Sequence, residues 1–189
     1  MENISVALSI LALLWLVIVL VGYLVPYFYG LPPTGTRYER IRKALKLARL
    51  QPGETLYDLG SGDGRVLILA ARDFGAQAVG IDAGPVQCLQ AWIRTSLRGV
   101  ASKVHVRWGN FLKADLSEAD VVFAYLTSDY VPRLEPQLLA QLRKGARLVT
   151  ISFDFPQWEP TDFDERELIF LYVMPPTSGN LGTYLEKRR

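Results

Sequence analysis

Asp58, Gly60, Gly62 and Gly64 stand at alternate positions in the stretch LYDLGSGDGR, residues 56–65, and Asp82 closes a second apolar run, QAVGID. A tight turn between a strand and a helix is satisfied by one glycine. Three alternating glycines behind an acidic residue at a strand end, with a second acid ending the next strand, point to a ligand that the backbone must approach closely. The dinucleotide fingerprint G-x-G-x-x-G is not met, because its third glycine position is Arg65. The Gly-Lys-Ser/Thr ending of a phosphate-gripping P-loop is absent too.

The pattern Asp58-x-Gly60-x-Gly62-x-Gly64 resembles the cofactor loop of class I S-adenosylmethionine-dependent methyltransferases. The resemblance implies a loop Gly60-Ser61-Gly62 laid against the methionine and ribose portions of that cofactor, with Asp58 near its ammonium end. It places Asp82 on the ribose hydroxyls; hydrogen bonds to a charged acceptor contribute about 1.5–3 kcal/mol each. It also sets Asn110 on the adenine edge and Phe111 on the adenine ring, from the GNF stretch after the third strand.

These residues must be held by a framework, and the apolar patterning supplies one. TLYDL reads as a buried strand, Arg65 to Phe74 as a helix, QAVGID as a strand, and Pro85 to Leu97 as a helix with its proline in the first turn. KVHVRW alternates as a third strand, and ADVVFAYL is continuous in apolar residues, as in a strand buried on both faces. A helix follows over Glu135 to Leu142, starting as early as Ser128, and then a fifth strand in ARLVTISFDF. ELIFLYV and GTYLEKR read as two last strands joined through MPPTSGNL. The expected fold is α/β: a Rossmann-like, seven-stranded class I methyltransferase sheet with an antiparallel C-terminal hairpin, preceded by one N-terminal transmembrane helix.

That helix is read from residues 4–25, nearly all Leu, Val, Ile and Ala, within a run from Asn3 to Thr36 that has no charged side chain. About 20 helical residues cross the roughly 30 Å of a bilayer core. A signal peptide wants a basic start and a shorter apolar region. Arg37, Arg40, Arg42, Lys43, Lys46 and Arg49 follow the span, so the positive-inside rule puts the rest of the chain in the cytoplasm, on the inner face of a cell membrane. The same basic residues can meet anionic headgroups, or form the solvated face of a helix packed on the domain through Tyr38, Ile41, Leu45 and Ala48, and the two roles can coexist. Residues 1–33 are expected to be anchor and Pro-rich linker, and 34–189 the methyltransferase domain. Cys88 is the sole cysteine and His105 the sole histidine, so neither an internal disulfide nor a zinc site of the usual Cys/His kind is expected.

Residues 34 to 160 resemble, more narrowly, the membrane-anchored protein-lysine methyltransferases of the ATP synthase c subunit and adenine nucleotide translocase type. The resemblance is carried by PGE before the first strand, DLGSGDGR, ADLSEADVVFAYL, LEPQLLAQLRKGARLV and FPQWEP. It implies a lysine of a membrane protein as substrate, the ATP synthase c subunit first. The sequence departs from that group at YLTSDY. Neutralising a free lysine at pH 7 costs about 4.6 kcal/mol, which burial of the amine lowers. Tyr125, Asp129, Phe155 and Trp158 fall at or beyond the ends of the fourth and fifth strands, where open α/β sheets gather their sites. They are the candidate walls and guides of a lysine channel; each also has a plain role as core or cap. Without an Asn/Asp-Pro-Pro-Tyr/Phe motif, DNA and glutamine substrates are disfavoured, and no nucleic-acid motif is present. A lipid-soluble small molecule such as a quinone as substrate, or a catalytically silent cofactor-binding module, remain the competing readings. A closed apolar cavity would favour the first, an open groove a protein.

Overall fold

The computed structural model describes residues 2–28 and 36–188. Helix α1 (Glu2–Phe28) comes first; its stretch Ile4–Val21 has a mean hydropathy of 3.0, and none of it is buried. The predicted break at Pro32, Pro33 and Gly35 lies outside the described residues. There follow α2 (Tyr38–Leu47), β1 (Thr55–Leu59), α3 (Arg65–Asp73), β2 (Gln77–Asp82), α4 (Pro85–Leu97), β3 (Val104–Trp108), β4 (Val121–Ala124), α5 (Val131–Gln141) and β5 (Arg147–Ile151). The chain closes with the two-residue β6 (Trp158–Glu159), β7 (Asp162–Asp164), β8 (Ile169–Val173), the two-residue β9 (Thr177–Ser178) and α6 (Leu181–Glu186).

Seven strands form one sheet in the order β3-β2-β1-β4-β5-β8-β7. Strands β1 to β5 run parallel; β8 is antiparallel to β5, and β7 to β8. The strand order reverses at β1, which has β2 on one side and β4 on the other, so the crevice beyond β1 and β4 is the natural ligand site. Side chains alternate across the sheet. Leu56, Val121, Phe123, Val149 and Ile151 pack under α2 and α3, while Tyr57, Leu59, Val122 and Leu148 pack with Leu134 and Leu138 of α5.

The terminal hairpin differs from the sequence reading. ELIFLYV supplies β8, but its hairpin partner is Asp162–Asp164, in a stretch for which no strand is predicted, and GTYLEKR is helical. The cause is local. Asn180 accepts a hydrogen bond from the Thr183 backbone and Thr183 returns one through its hydroxyl, a reciprocal cap that starts a helix. A single buried residue, Tyr184, leaves that segment without a strand's period. The fifth strand also stops early: Ser152 takes a left-handed φ of 65°, and the Thr150 hydroxyl donates to the Phe153 carbonyl at 2.6 Å.

Past that stop, four aromatics fill the α5 side of the sheet. The Phe155 and Trp158 rings stack at 4.2 Å, Tyr172 meets both edge-on, and Phe153 lies 5.9 Å from Phe155. The Trp158 indole N–H donates to Glu135 Oε1 at 2.9 Å, and the Phe155 N–H donates to the Tyr172 hydroxyl at 3.1 Å. Phe155 is fully buried and Trp158 only 4 % exposed. Trp158→Ala is therefore a core deletion and should cost about 3–5 kcal/mol of stability. Chemical denaturation of the full chain in detergent checks this; a change below about 1 kcal/mol would mean that the ring bears on something other than the core.

Candidate functional site

The site begins with Asp58, one residue short of the end of β1 and facing the α2 side of the sheet with Leu56. Its side chain is buried, and Oδ2 has no hydrogen-bond partner among the described residues. Burial pushes its carboxyl well above the usual range, and the nearby Asp82 and Asp63 push it further. A buried acid without a partner costs stability unless something cationic joins it.

The loop beyond it is shaped by close approach. Gly60, Gly62 and Gly64 have φ of 81°, 51° and 77°, and the Gly60 and Ser61 N–H groups both donate to the Ile81 carbonyl. At Gly64 an added Cβ would lie 2.9 Å from the Ala91 Cβ, so glycine is required both for the left-handed turn into α3 and for the approach of α4. At Gly62 a Cβ would meet nothing within 4 Å: the loop is open on that side. The Ser61 hydroxyl is buried and also unpartnered.

Asp82 ends β2 and is 5 % exposed. Its Oδ2 accepts from the Gly62 N–H and its Oδ1 from the Gly84 N–H, each at 2.8 Å. Burial raises its pKa, and these two backbone donors offset part of the rise. Each oxygen keeps a second lone pair, which leaves room for two hydroxyl donors. Cys88 sits one turn into α4, its thiol pushed up to about 11 by burial first and by Asp82 second. Asn110 caps a short turn, its Oδ1 accepting from the Leu112 N–H at 2.9 Å. Phe111 is 3 % exposed and packs on Tyr130 at 5.4 Å; the structure uses it as core rather than as an open platform.

Of the residues read as a lysine channel, two lie just beyond the C-terminal end of β4. Tyr125 follows β4 on the same face as Asp58 and is half-buried, with the Arg40 guanidinium over its ring at 5.6 Å. Asp129 is exposed in the turn before α5. Phe155 and Trp158 are not wall residues: they lie inside the aromatic core on the opposite face, with their polar groups already paired. Their position in the chain suggested a strand end, but nothing local signals that the strand stops at Ile151 and turns them inward.

Three groups were missed. Asp63 is gripped at both oxygens by Arg65, at 2.9 and 2.7 Å, and also by Arg94. Burial opposes its charge, but the Arg65 hydrogen bonds and the two guanidiniums hold it below the usual carboxylate range. Arg65 further donates to the Thr36 carbonyl at 2.7 Å and Arg94 to the Tyr38 hydroxyl at 2.8 Å, which ties the start of α2 to the glycine loop. Arg40 joins α2 to the far side, donating to the Ser152 hydroxyl and the Glu167 carbonyl. Gln87 is buried in the first turn of α4 with an unpartnered Oε1. Its signal was available: it is the polar member of the inner row Gln87, Ala91, Thr95. Among the described residues no group of three or more His, Cys, Asp or Glu could hold a metal.

The residues fit S-adenosylmethionine. Asp58 supplies the missing counter-charge for an ammonium, Ser61 an idle hydroxyl, Gly62 an open backbone face, and Asp82 two acceptor oxygens. Comparison with known proteins agrees. The ANTKMT methyltransferase domain family matches residues 58–162. A protein-lysine N-methyltransferase of Saccharolobus islandicus is 32% identical over 155 residues, 78% of this chain and 96% of that protein. The lysine N-methyltransferase of the ATP synthase c subunit from Xenopus laevis is 31% identical over 130 residues, 69% of this chain but 57% of its own length. A crystal structure of an RNA methyltransferase from Salinibacter ruber in complex with S-adenosyl-L-homocysteine superposes with a TM-score of 0.74 at 36% identity, covering 77% of this chain and 97% of that one.

Asp58→Asn should separate the cost of the buried acid from its use. The native state holds the Asp58 proton to higher pH than the unfolded chain, so stability of the ligand-free protein falls as pH rises from the ordinary aspartate pKa through the raised one. The asparagine variant loses that slope and unfolds at a higher temperature at neutral pH. Its affinity for S-adenosylmethionine should fall at least about tenfold, because a charge-assisted contact is removed. Calorimetry measures both, and a variant that is destabilised yet binds normally would contradict this account of Asp58.

Proposed function

The chain belongs to the ANTKMT methyltransferase domain family and is an S-adenosylmethionine-dependent protein-lysine N-methyltransferase, and from that premise we propose that it is anchored in a membrane by residues 1–33 and methylates a lysine of another membrane protein. The ATP synthase c subunit is the first substrate to test, since the Xenopus laevis relative is named for it. The observation that carries the proposal is α1. Its 18-residue stretch Ile4–Val21 is apolar on all sides and buries nothing against the domain, so its apolar surface needs another solvent. The six basic residues after it favour the cytoplasmic side for residues 34–189.

The tether is short. Residues 29–35 separate Phe28 from Thr36, so the two Cα atoms lie within about 30 Å of each other. Thr36 is itself held at the glycine loop by Arg65. The cofactor site is thereby kept near the bilayer, which raises the effective concentration of substrates in the same membrane.

In the reaction, bound S-adenosylmethionine supplies an electrophilic methyl group. Asp58 and Asp82 orient it from opposite ends of the loop. Tyr125 and Asp129 then frame the entering amine: Asp129 draws the protonated lysine to the rim, and the half-buried Tyr125 takes it out of water. Desolvation there lowers the roughly 4.6 kcal/mol needed to present a neutral amine at pH 7. Holding nitrogen and methyl in line supplies the remainder without a strong base.

The test is transfer of labelled methyl from S-adenosylmethionine into whole membranes, followed by mass spectrometry of the modified species. We expect label on a lysine near the membrane surface of an integral protein. Deleting residues 1–33 should leave cofactor affinity within about twofold while membrane-protein methylation drops by roughly an order of magnitude or more. Label confined to organic-extractable material would instead favour a quinone or lipid substrate. Label removed by ribonuclease would favour RNA, the substrate for which the Salinibacter ruber enzyme is named.

A further inference from the structure

α4 carries two unlike faces. Gln87, Ala91 and Thr95 point into the domain. Opposite them Leu89, Trp92, Ile93 and Leu97 form one apolar stripe, respectively 56%, 61%, 42% and 80% exposed. Trp108, at the end of the neighbouring edge strand β3, is 73% exposed and is fixed by a 2.9 Å hydrogen bond from its indole N–H to the Ala83 carbonyl, just before α4. So large a set of exposed apolar side chains on one element marks a contact surface.

Charge says what the contact is. From Ala83 to Ala114 the sequence has no Asp or Glu, while Arg94, Arg98, Lys103, Arg107 and Lys113 fall within it. Arg98 and Lys103 are exposed and make no ion pair with any described residue. The α2 cations differ: Arg42 pairs with Asp73, and Arg40 and Lys43 pair with Glu167, so much of that basic cluster is neutralised within the domain. An apolar stripe with exposed tryptophans and unpaired cations is the composition of a surface lying at the headgroup–acyl boundary. Position agrees with chemistry, because α4 is an element of the domain that α1 touches.

We propose that the outer face of α4, with Trp108 of the β3 edge, is a bilayer-docking surface that seats on anionic lipid, inserting Leu89, Trp92, Ile93 and Leu97 while Arg98 and Lys103 meet the headgroups. The proposal rests on α1 being a membrane anchor. It adds an orientation: the domain lies with this edge down rather than turning freely on its tether. Asp82 ends β2, between Trp108 and the start of α4, so the mouth of the cofactor site stands at the membrane surface. Leu89, Ile93 and Leu97 offer a nucleic acid no polar or stacking contact and offer a lipid a large apolar area to cover.

The test uses the full chain carrying Trp15→Phe, which removes the indole of α1. The remaining indoles are Trp92, Trp108 and the buried Trp158. The protein is reconstituted in vesicles of phosphatidylglycerol with phosphatidylcholine brominated on its acyl chains, and flotation confirms that it is membrane-bound. Relative to unbrominated lipid, bromine should quench roughly half or more of the surface-indole emission, as for tryptophan at an interface. Adding Trp92→Phe and Trp108→Phe should abolish the quenching. A chain that floats but is not quenched overturns the docking surface and leaves the anchor standing. A chain that does not float overturns both. A blue shift that needs no lipid, arising with protein density or with added RNA, assigns the face to a second copy or to nucleic acid and overturns the proposal.

Discussion

A carboxylate with no cation beside it is the constraint around which this domain is arranged. Asp58 lies within the sheet, unpartnered at one oxygen, and its two charged neighbours are also acids. Folding tolerates it because neutralising the group costs less than ionising it there. A ligand that brings a positive charge turns the same residue from a cost into a binding contact. The rest of the loop follows from keeping that ligand close. Gly62 leaves backbone open, Gly64 lets α4 come in, and Gly80 on β2 has no room for a Cβ, which would lie 2.5 Å from Leu67 and 2.8 Å from Ser61.

The second determinant is where the arginines go. Arg65 and Arg94 neutralise Asp63 rather than Asp58, and direct their remaining donors to Thr36 and Tyr38. Arg40 and Lys43 reach Glu167 across the sheet. The helix that follows α1 is thus clamped at both ends of the site: at the glycine loop by α3 and α4, and near β5 by the Glu167 turn. Its buried row, Ile41, Ala44, Leu45 and Ala48, supplies the apolar half of the clamp. Individually such partly exposed ion pairs contribute little, and their value here is geometric. They leave Asp58 buried without an ion-pair partner among the described residues.

What could be read in the sequence was what depends on local chemistry. β1, β2 and α4 ended where their apolar runs and turn residues said, because a strand buried on both faces and a proline-initiated helix leave few alternatives. The glycine loop and Asp82 were legible for the same reason. What failed depended on partners distant in sequence. β7 is three residues long and becomes a strand only through pairing with β8, and α6 owes its start to a side-chain cap. The intramolecular partners of the basic face of α2 could not be read from the sequence, because Asp73 and Glu167, which pair with Arg40, Arg42 and Lys43, lie far along the chain. Phe155 and Trp158 looked like channel residues by position; one backbone reversal at Ser152 put them in the core.

That reversal also bears on how a lysine could enter. On the proposed function, with the aromatic cluster packed solid on the α5 side, a lysine approaches along the rim where Tyr125 and Asp129 stand, beside the crevice between β1 and β4. The opposite boundary of that rim is α2, pinned over Tyr125 by Arg40. On the proposed anchoring of α1, a pull on the chain is felt at α2, the next described element, before it reaches the sheet. A domain held down along α4 would relieve α2 of that load. On those two proposals, the apolar stripe of α4 and the ion-paired arginines of α2 are two answers to one mechanical problem: how to hold an enzyme to a surface by a short chain without disturbing the crevice where it works.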